Sequence, residues 1–357
     1  MAGAKGKERI EWLDTLRGLA VLIVYLAHVM SRYPRTVGYS HGVGKMGVWL
    51  FMVSAGFLLY YRSSAPYRSG DAGDSTTCRR ASEDSADGGS VFRGSLAGWI
   101  ASFYIRRFFR LFPCLVFGAL LTFREDALHQ TKTFILTILF LRGPAHLWYV
   151  PVVAGFYLLA PFLLLLRDKI RNDRRLFIII LLAGTLLAVA FPYTRYPENS
   201  IDPLWYYPVF LMGCLAALIP VRKKAAGWDA AALVLFAGLV MLTPSVMCGV
   251  FGFKDQRFLP NKYLLIGGIW TGIILCILRG KIWERLLTGL KPLQLLSRIS
   301  YPFYLVHYPV IYILKKNWEL SGQVMLAAAF GISLILSLLL HFLVERPCTR
   351  LGTGLSQ

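Results

Sequence analysis

Acidic side chains are scarce in this 357-residue chain. Asp and Glu number 19 against 39 Lys and Arg, and charged residues of both signs make up only 16%. With 56% of residues hydrophobic and a mean hydropathy of +0.54, that balance excludes an ordinary soluble domain. The apolar runs are continuous and lack the period-2 alternation of a transmembrane β-barrel. The six cysteines (Cys78, Cys114, Cys214, Cys248, Cys276 and Cys348) form no CxxC or zinc-type spacing. Neither a disulfide framework nor a metal site is expected from them, and those inside apolar runs act as small fillers. No internal repeat is visible, which discourages an inverted-repeat transporter. A few positive charges precede the first apolar run, as in a signal peptide. No small-residue cleavage site follows, so the run is expected to stay as a first span.

What is present is a series of apolar stretches long enough to cross a bilayer. Ten are expected, at 14–33, 44–61, 108–126, 147–166, 176–192, 204–220, 229–247, 261–279, 299–316 and 323–344. The fold class is therefore all-α, a single multi-pass domain over 1–357. Of the 39 Lys and Arg, 27 fall on the side of the two termini and 12 on the other. The positive-inside rule then puts both termini in the cytoplasm. The formal net charge of +20 would suggest nucleic acid in a soluble protein. Here the charges lie between spans, so topology is the first reading, an anionic ligand the second, and no nucleic-acid partner is expected.

The segment 62–98 is rich in Ser, Asp, Gly and Arg and poor in apolar residues, and a disordered cytoplasmic loop is expected there. The stretch LAGWIASFYIRRFFRLFP that follows interleaves aromatics with arginines and ends at Pro113. It reads as an amphipathic helix lying in the interface before the third span. A short re-entrant or interfacial piece is expected at 132–142.

Residues 13–30, LDTLRGLAVLIVYLAHVM, place two ionisable side chains, Arg17 and His28, in a segment otherwise fit for hydrocarbon. Eleven residues apart, they differ by about 20° around a helix and ~16 Å along it, so they share a face. That spacing puts Arg17 near the cytoplasmic mouth and His28 near mid-membrane. Ionisable groups inside a span are costly and face polar cavities as a rule. A neutral histidine there can take a proton from an attacking hydroxyl or amine. A cation ~16 Å away suits an elongated anionic carrier reaching that base, a shape that coenzyme A has. The alternative is structural: Arg17 as a flanking inside charge and His28 as a hydrogen-bonded core residue.

These residues carry a resemblance. The chain, from Trp12 to Pro347, resembles the acyltransferase 3 family of integral membrane acyltransferases. Arg17 and His28 match its Arg-x10-His hallmark. GVWLFMVSAGFLLY resembles its second-span segment through Gly47, Phe51, Gly56 and Phe57. Arg106, Arg107, Arg110 and Pro113 resemble its Arg-Arg-x-x-Arg-x-x-Pro stretch. His146, Trp148, Tyr157 and Pro161 resemble the fourth-span motif, and Ser300, Tyr301, His307 and Pro309 a further one. HFLVERP, with Glu345 and Pro347, closes as the family does. Two positions depart from it. Ser54 stands one place early, with Ala55-Gly56 where the family has Ser-Gly. Ala154-Gly155 stand where many sugar O-acetyltransferases carry two glutamates.

The resemblance implies an acyl-coenzyme A donor, commonly acetyl-coenzyme A, on the cytoplasmic side. It implies a hydroxyl- or amine-bearing acceptor on the far side, a carbohydrate or lipid-linked glycan of the cell surface. The protein would sit in the cell membrane among lipid, with no metal. The expected catalytic residues are His28 as general base, Arg17 and His307. Arg17, Arg106, Arg107, Arg110 and Tyr301 are expected to hold the donor, and His146 and Trp148 to line the acceptor entrance. Asp14, one turn before Arg17, is placed to clamp its guanidinium or to start the helix. Glu345 and Arg346 read as a cap on the last span. A polytopic transporter or flippase using Arg17 and His28 as a solute or proton path remains the rival reading. A non-catalytic membrane partner is a third.

Overall fold

The computed structural model describes residues 10–40, 42–61, 96–123, 131–173, 203–219, 224–252 and 263–356, with positions 175, 176, 179 and 183. Every regular element among them is helical. The main ones, in chain order, are α1 (Glu11–Met30), α2 (Val43–Tyr61), α3 (Leu96–Phe123), α4 (Thr131–Ile138) and α5 (Tyr149–Asn172). They continue with α6 (Pro203–Leu218), α7 (Ala226–Met241), α8 (Tyr263–Arg279), α9 (Ile282–Gly289), α10 (Lys291–Arg298), α11 (Ser300–Asn317) and α12 (Gly322–Leu340). A π-helical stretch, His341–Glu345, leads from α12 into α13 (Arg346–Gly354).

Among the described residues, four stretches are long and apolar enough to cross a membrane: Glu11–Met30, Val37–Tyr61, Ala145–Leu166 and Gly322–Gly354. A fifth is added if α8 and α9, bent by 99° at their junction, form one span. Tyr206–Leu218 and Ala226–Met241 are shorter apolar helices. The span expected at 176–192 lies almost wholly outside the described residues. The third and ninth expected spans form helices that fall short of the same test, for different reasons. Arginines Arg106, Arg107 and Arg110 charge α3. Tyrosines, His307 and two lysines lower the hydropathy of α11, yet 11 of its 18 residues are buried. A helix surrounded by protein need not be apolar toward lipid. The last stretch is the opposite case: its apolar window is only 17% buried. Side chains such as Ile335, Leu339 and Leu343 point outward, and an apolar surface that extensive suits a membrane.

The expected interfacial helix ending at Pro113 is not a separate element, since α3 runs unbroken from Leu96 through Pro113 to Phe123. Proline costs one backbone hydrogen bond and bends a helix without having to end it. The loop expected at 62–98 lies outside the described residues up to 95, and its last three positions already belong to α3. The piece expected at 132–142 is the short helix α4 followed by a turn.

Close backbone approaches hold the bundle. On α2, a Cβ added at Gly56 would lie 1.9 Å from the Phe210 carbonyl oxygen. On the facing α6, one added at Gly213 would lie 2.0 Å from that of Val53. Small residues at such crossings let helices pack tightly where lipid gives no hydrophobic drive between them. Gly18 of α1 meets the Leu293 carbonyl of α10 in the same way, at 2.0 Å from its missing Cβ. Thr15 Oγ1 donates to the Leu287 carbonyl at 2.6 Å, so α9 and α10 clasp the first half of α1. The bend between α8 and α9 is held by Asp229 of α7, whose carboxylate accepts from the free N–H groups of Lys281, Ile282 and Trp283.

Helix α1 ends at Met30, where Ser31 Oγ donates to the His28 carbonyl (2.8 Å) and Thr36 Oγ1 to that of Met30 (2.8 Å). His28 therefore stands in the last turn of α1 rather than halfway along the membrane-crossing run. The turn Ser31–Tyr33 before Pro34 ends the helix earlier than hydropathy alone suggests.

Replacing Gly213 by Val should destabilise the fold by roughly 1–3 kcal/mol through overpacking. Gly331, whose added Cβ meets nothing within 4 Å, should accept Ala without loss. Thermal midpoints of the two variants in detergent check this pair.

Candidate active site

Three histidines from three separate segments converge. His28 Nδ1 lies 2.8 Å from His307 Nε2, and their rings stack with centroids 5.0 Å apart. His146 meets His307 edge-on at 5.8 Å. His307 and His146 are almost wholly buried, at 1% and 3% exposure. Tyr308 joins the group, stacking on His146 at 4.8 Å and meeting His28 edge-on at 5.1 Å.

Backbone carbonyls set the proton positions. His307 Nδ1 lies 3.0 Å from the Phe303 carbonyl, one turn earlier in α11. A carbonyl only accepts, so Nδ1 carries the proton and donates. In the neutral ring, Nε2 is then the lone-pair nitrogen and accepts from His28 Nδ1–H. His28 is left with its own lone pair on Nε2, the form a general base needs. His146 is fixed in the other tautomer, because its Nε2 donates to the Leu305 carbonyl at 3.1 Å. Its Nδ1 is buried with no hydrogen-bond partner among the described residues.

Local sequence explains how His146 arrives there. Gly143 could carry no side chain, since a Cβ would lie 2.5 Å from Trp148 Cα. Ala145 takes a left-handed backbone conformation, φ 49°, unfavourable for a residue with a Cβ. The tight turn then feeds the single 3-10 turn Ala145–Trp148. Tyr304 donates its hydroxyl to the His146 carbonyl, tying that turn to α11.

A second pole is cationic. Arg17 Nη1 lies 3.4 Å from Asp14 Oδ1, so the expected clamp forms. Arg17 is within electrostatic reach of Arg110 on α3 and of Tyr149 and Tyr157 on α5. Arg107 lies over the Tyr157 ring, 4.8 Å from its centroid, and within reach of Arg110 and Arg106. Tyr149 links the poles, since its ring packs 5.8 Å from Tyr304, which in turn contacts His146 and His307. Three guanidinium groups gathered at one end of a tyrosine-lined seam suit a polyanionic ligand.

Other expected site residues have partners of their own, while Tyr301 stays within reach of Tyr304 and Tyr157, and Trp148 packs on Tyr149. Arg106 donates to Ser356 Oγ at 3.0 Å, which ties it to the C-terminal segment. The Tyr301 hydroxyl donates to the Leu111 carbonyl at 2.8 Å, a contact between α11 and α3. Trp148 packs against Tyr206 at 5.3 Å, in an aromatic tier with Tyr263. His146, expected at an entrance, is instead inside the histidine cluster. Ser54 is fully buried and its hydroxyl has no partner among the described residues. Glu345 pairs with His341 Nδ1 at 2.7 Å within the π-helical stretch. No group of three or more potential metal ligands occurs among the described residues. Sequence reading missed Tyr308, Tyr304 and Tyr149, because tyrosines in apolar helices carry no motif of their own. It also missed Arg32, whose guanidinium lies 4.7 Å from the Tyr308 ring centroid.

Comparison with known proteins adds an independent finding. Residues 10–346 match the family described as acyltransferase domain. The O-acetyltransferase OatA of Staphylococcus aureus (strain NCTC 8325 / PS 47) is 23% identical over 351 residues, covering 87% of this chain and 52% of that protein. The putative peptidoglycan O-acetyltransferase YrhL of Bacillus subtilis (strain 168) is 23% identical over 385 residues, covering 96% and 55%. The peptidoglycan O-acetyltransferase OatA of Listeria monocytogenes is 25% identical over 193 residues, covering 49% and 30%. The chain thus spans about half the length of the first two relatives. No solved structure matches it.

Nitrogen NMR of histidine-labelled protein at neutral pH should show the Nδ1–H tautomer for His28 and His307 and the Nε2–H tautomer for His146. An Nε2–H tautomer at His28 would contradict the proton arrangement.

Proposed function

The chain belongs to the acyltransferase domain family, and on that premise we propose that it moves an acetyl group from acetyl-coenzyme A to a hydroxyl of a cell-surface carbohydrate. The observation behind this reading is the 2.8 Å contact between His28 and His307, which leaves the His28 Nε2 lone pair free to accept a proton. The acceptor hydroxyl gives its proton to that nitrogen as its oxygen attacks the thioester carbonyl. The tetrahedral intermediate then collapses, the carbon–sulfur bond breaks, and the proton passes from His28 to the departing thiolate. The products are the acetyl ester and free coenzyme A. His307 holds the ring in the right tautomer and stabilises the imidazolium through the same hydrogen bond, so its role is positioning. Arg17, Arg107 and Arg110 bind the donor's phosphates, with the long thiol arm running along the tyrosines toward His28.

Several observations favour a carbohydrate acceptor and a membrane setting. Two of the relatives are named for peptidoglycan, and apolar stretches able to cross a bilayer recur along the chain. In this reading the protein is a multi-pass protein of the cell membrane with both termini in the cytoplasm. The donor then enters from the cytoplasmic side and the acceptor, a glycan or its lipid-linked form, from the other. The absence of the glutamate pair at Ala154-Gly155 leaves the acceptor side to other polar groups.

The test uses purified protein in lipid nanodiscs with radiolabelled acetyl-coenzyme A and an oligosaccharide acceptor. Label should move to the sugar, and His28→Ala should lower the rate by roughly 10²–10⁴. Transfer undiminished in that variant would overturn the assignment. Arg17→Gln should raise KM for acetyl-coenzyme A more than it lowers kcat. Protonation of His28 removes the base, so kcat/KM should fall tenfold for each pH unit on the acid side of its titration. A rate independent of pH would contradict a histidine base.

A further inference from the structure

Arg32 stands four residues beyond His28, on the side away from Arg17. Its guanidinium lies 4.7 Å from the Tyr308 ring centroid and 5.3 Å from that of Tyr312. Tyr308 is the ring that packs on both His28 and His146. The Arg32 charge is within electrostatic reach of both imidazoles. Its Nε and Nη2 are buried and have no hydrogen-bond partner among the described residues.

Those two nitrogens form one edge of the guanidinium. Their N–H bonds are parallel and spaced to grip the two oxygens of a carboxylate or phosphate. Two buried donors without partners are costly, and packing on tyrosine faces offsets only part of that cost. Nearby, His146 Nδ1 is a buried acceptor in the same condition. The two together present a cationic fork and a lone pair beside the proposed base.

We propose that Arg32 recognises an anionic group, a carboxylate or phosphate, carried by the acceptor next to the hydroxyl that is acylated. The proposal rests on the acyl-transfer reading of the site and names the acceptor's chemistry. The donor's phosphates belong to the opposite pole, 15 residues earlier around Arg17. A lipid headgroup is disfavoured because the gripping edge is buried rather than turned to the surface. His146 Nδ1 accepts a hydrogen bond from a neutral hydroxyl of the same sugar.

The experiment compares an oligosaccharide bearing a uronic acid with its carboxyl-reduced counterpart, and adds a phosphorylated oligosaccharide in a third arm. Wild-type protein in nanodiscs should favour an anionic sugar over the neutral one by about 10- to 100-fold in kcat/KM, as expected for a charge-assisted pair. In Arg32→Gln that ratio should collapse toward one through KM for the acceptor, and Arg32→Lys should keep part of it. Calorimetric binding of the same sugars, without donor, should show the same loss. This arm reports on Arg32 even if no acetyl transfer occurs, so the two readings fail separately. Equal use and equal binding of acidic and neutral sugars by the wild type would overturn the proposal. So would an Arg32→Gln variant that loses rate equally on every sugar, which would place Arg32 in the chemical step or the fold. A variant whose only change is its dependence on anionic lipid in the nanodisc would assign the edge to a headgroup, and also overturns it.

Discussion

The carbonyl of Phe303, one turn before His307 in the same helix, accepts a hydrogen bond from His307 Nδ1–H. That backbone contact sets the direction of the bond that follows. Because His307 Nε2 must then accept, His28 donates from Nδ1 and keeps its base on Nε2. The polarity therefore originates in helix geometry, where residue i+4 lies over the carbonyl of residue i. A carboxylate in the same place would also orient the ring, at the cost of a buried charge. Orienting one neutral ring with another avoids that charge.

The surrounding protein makes such a polar centre tolerable. Helix α11 carries His307, Tyr304 and Tyr308 and is mostly enclosed by protein, while α12 turns apolar side chains outward. Glycine crossings between α1, α2, α6 and α10 bring the backbones of those helices close together. The cationic pole is then separated from the histidines by tyrosine rings rather than by water-exposed loops. In the proposed reading, Arg17, Arg107 and Arg110 meet the donor's phosphates and the histidines its carbonyl end.

Much of this is legible in the sequence, and the rest is hidden for physical reasons. Arg17 and His28 can be placed on one face from spacing alone, and the Asp14 clamp is one of the two readings that its i,i+3 position allows. His307 is marked by its place in an apolar helix, but its contact with His28 joins residues 279 positions apart, which no local pattern encodes. His146 reads as an entrance residue because it begins a helix; the left-handed turn at Ala145 that carries it inward is a tertiary feature. Arg106 looks equivalent to Arg107 and Arg110, yet its guanidinium is engaged by Ser356. Helices are legible as apolar runs. Span number is less so, because enclosed helices such as α11 need not be hydrophobic, and a proline such as Pro113 can bend a helix without ending it.

In the proposed reading, the chemistry depends on His28 Nε2 standing where the acyl carbonyl and the acceptor meet. A cryo-electron microscopy map of the protein with a non-hydrolysable acetyl-coenzyme A analogue tests that placement most directly. The analogue's diphosphate should lie among Arg17, Arg107 and Arg110, and its arm along Tyr157 and Tyr149. Its carbonyl should come close enough to His28 for an acceptor oxygen to touch both. An analogue bound with its carbonyl remote from His28, or with its diphosphate away from those arginines, would contradict it.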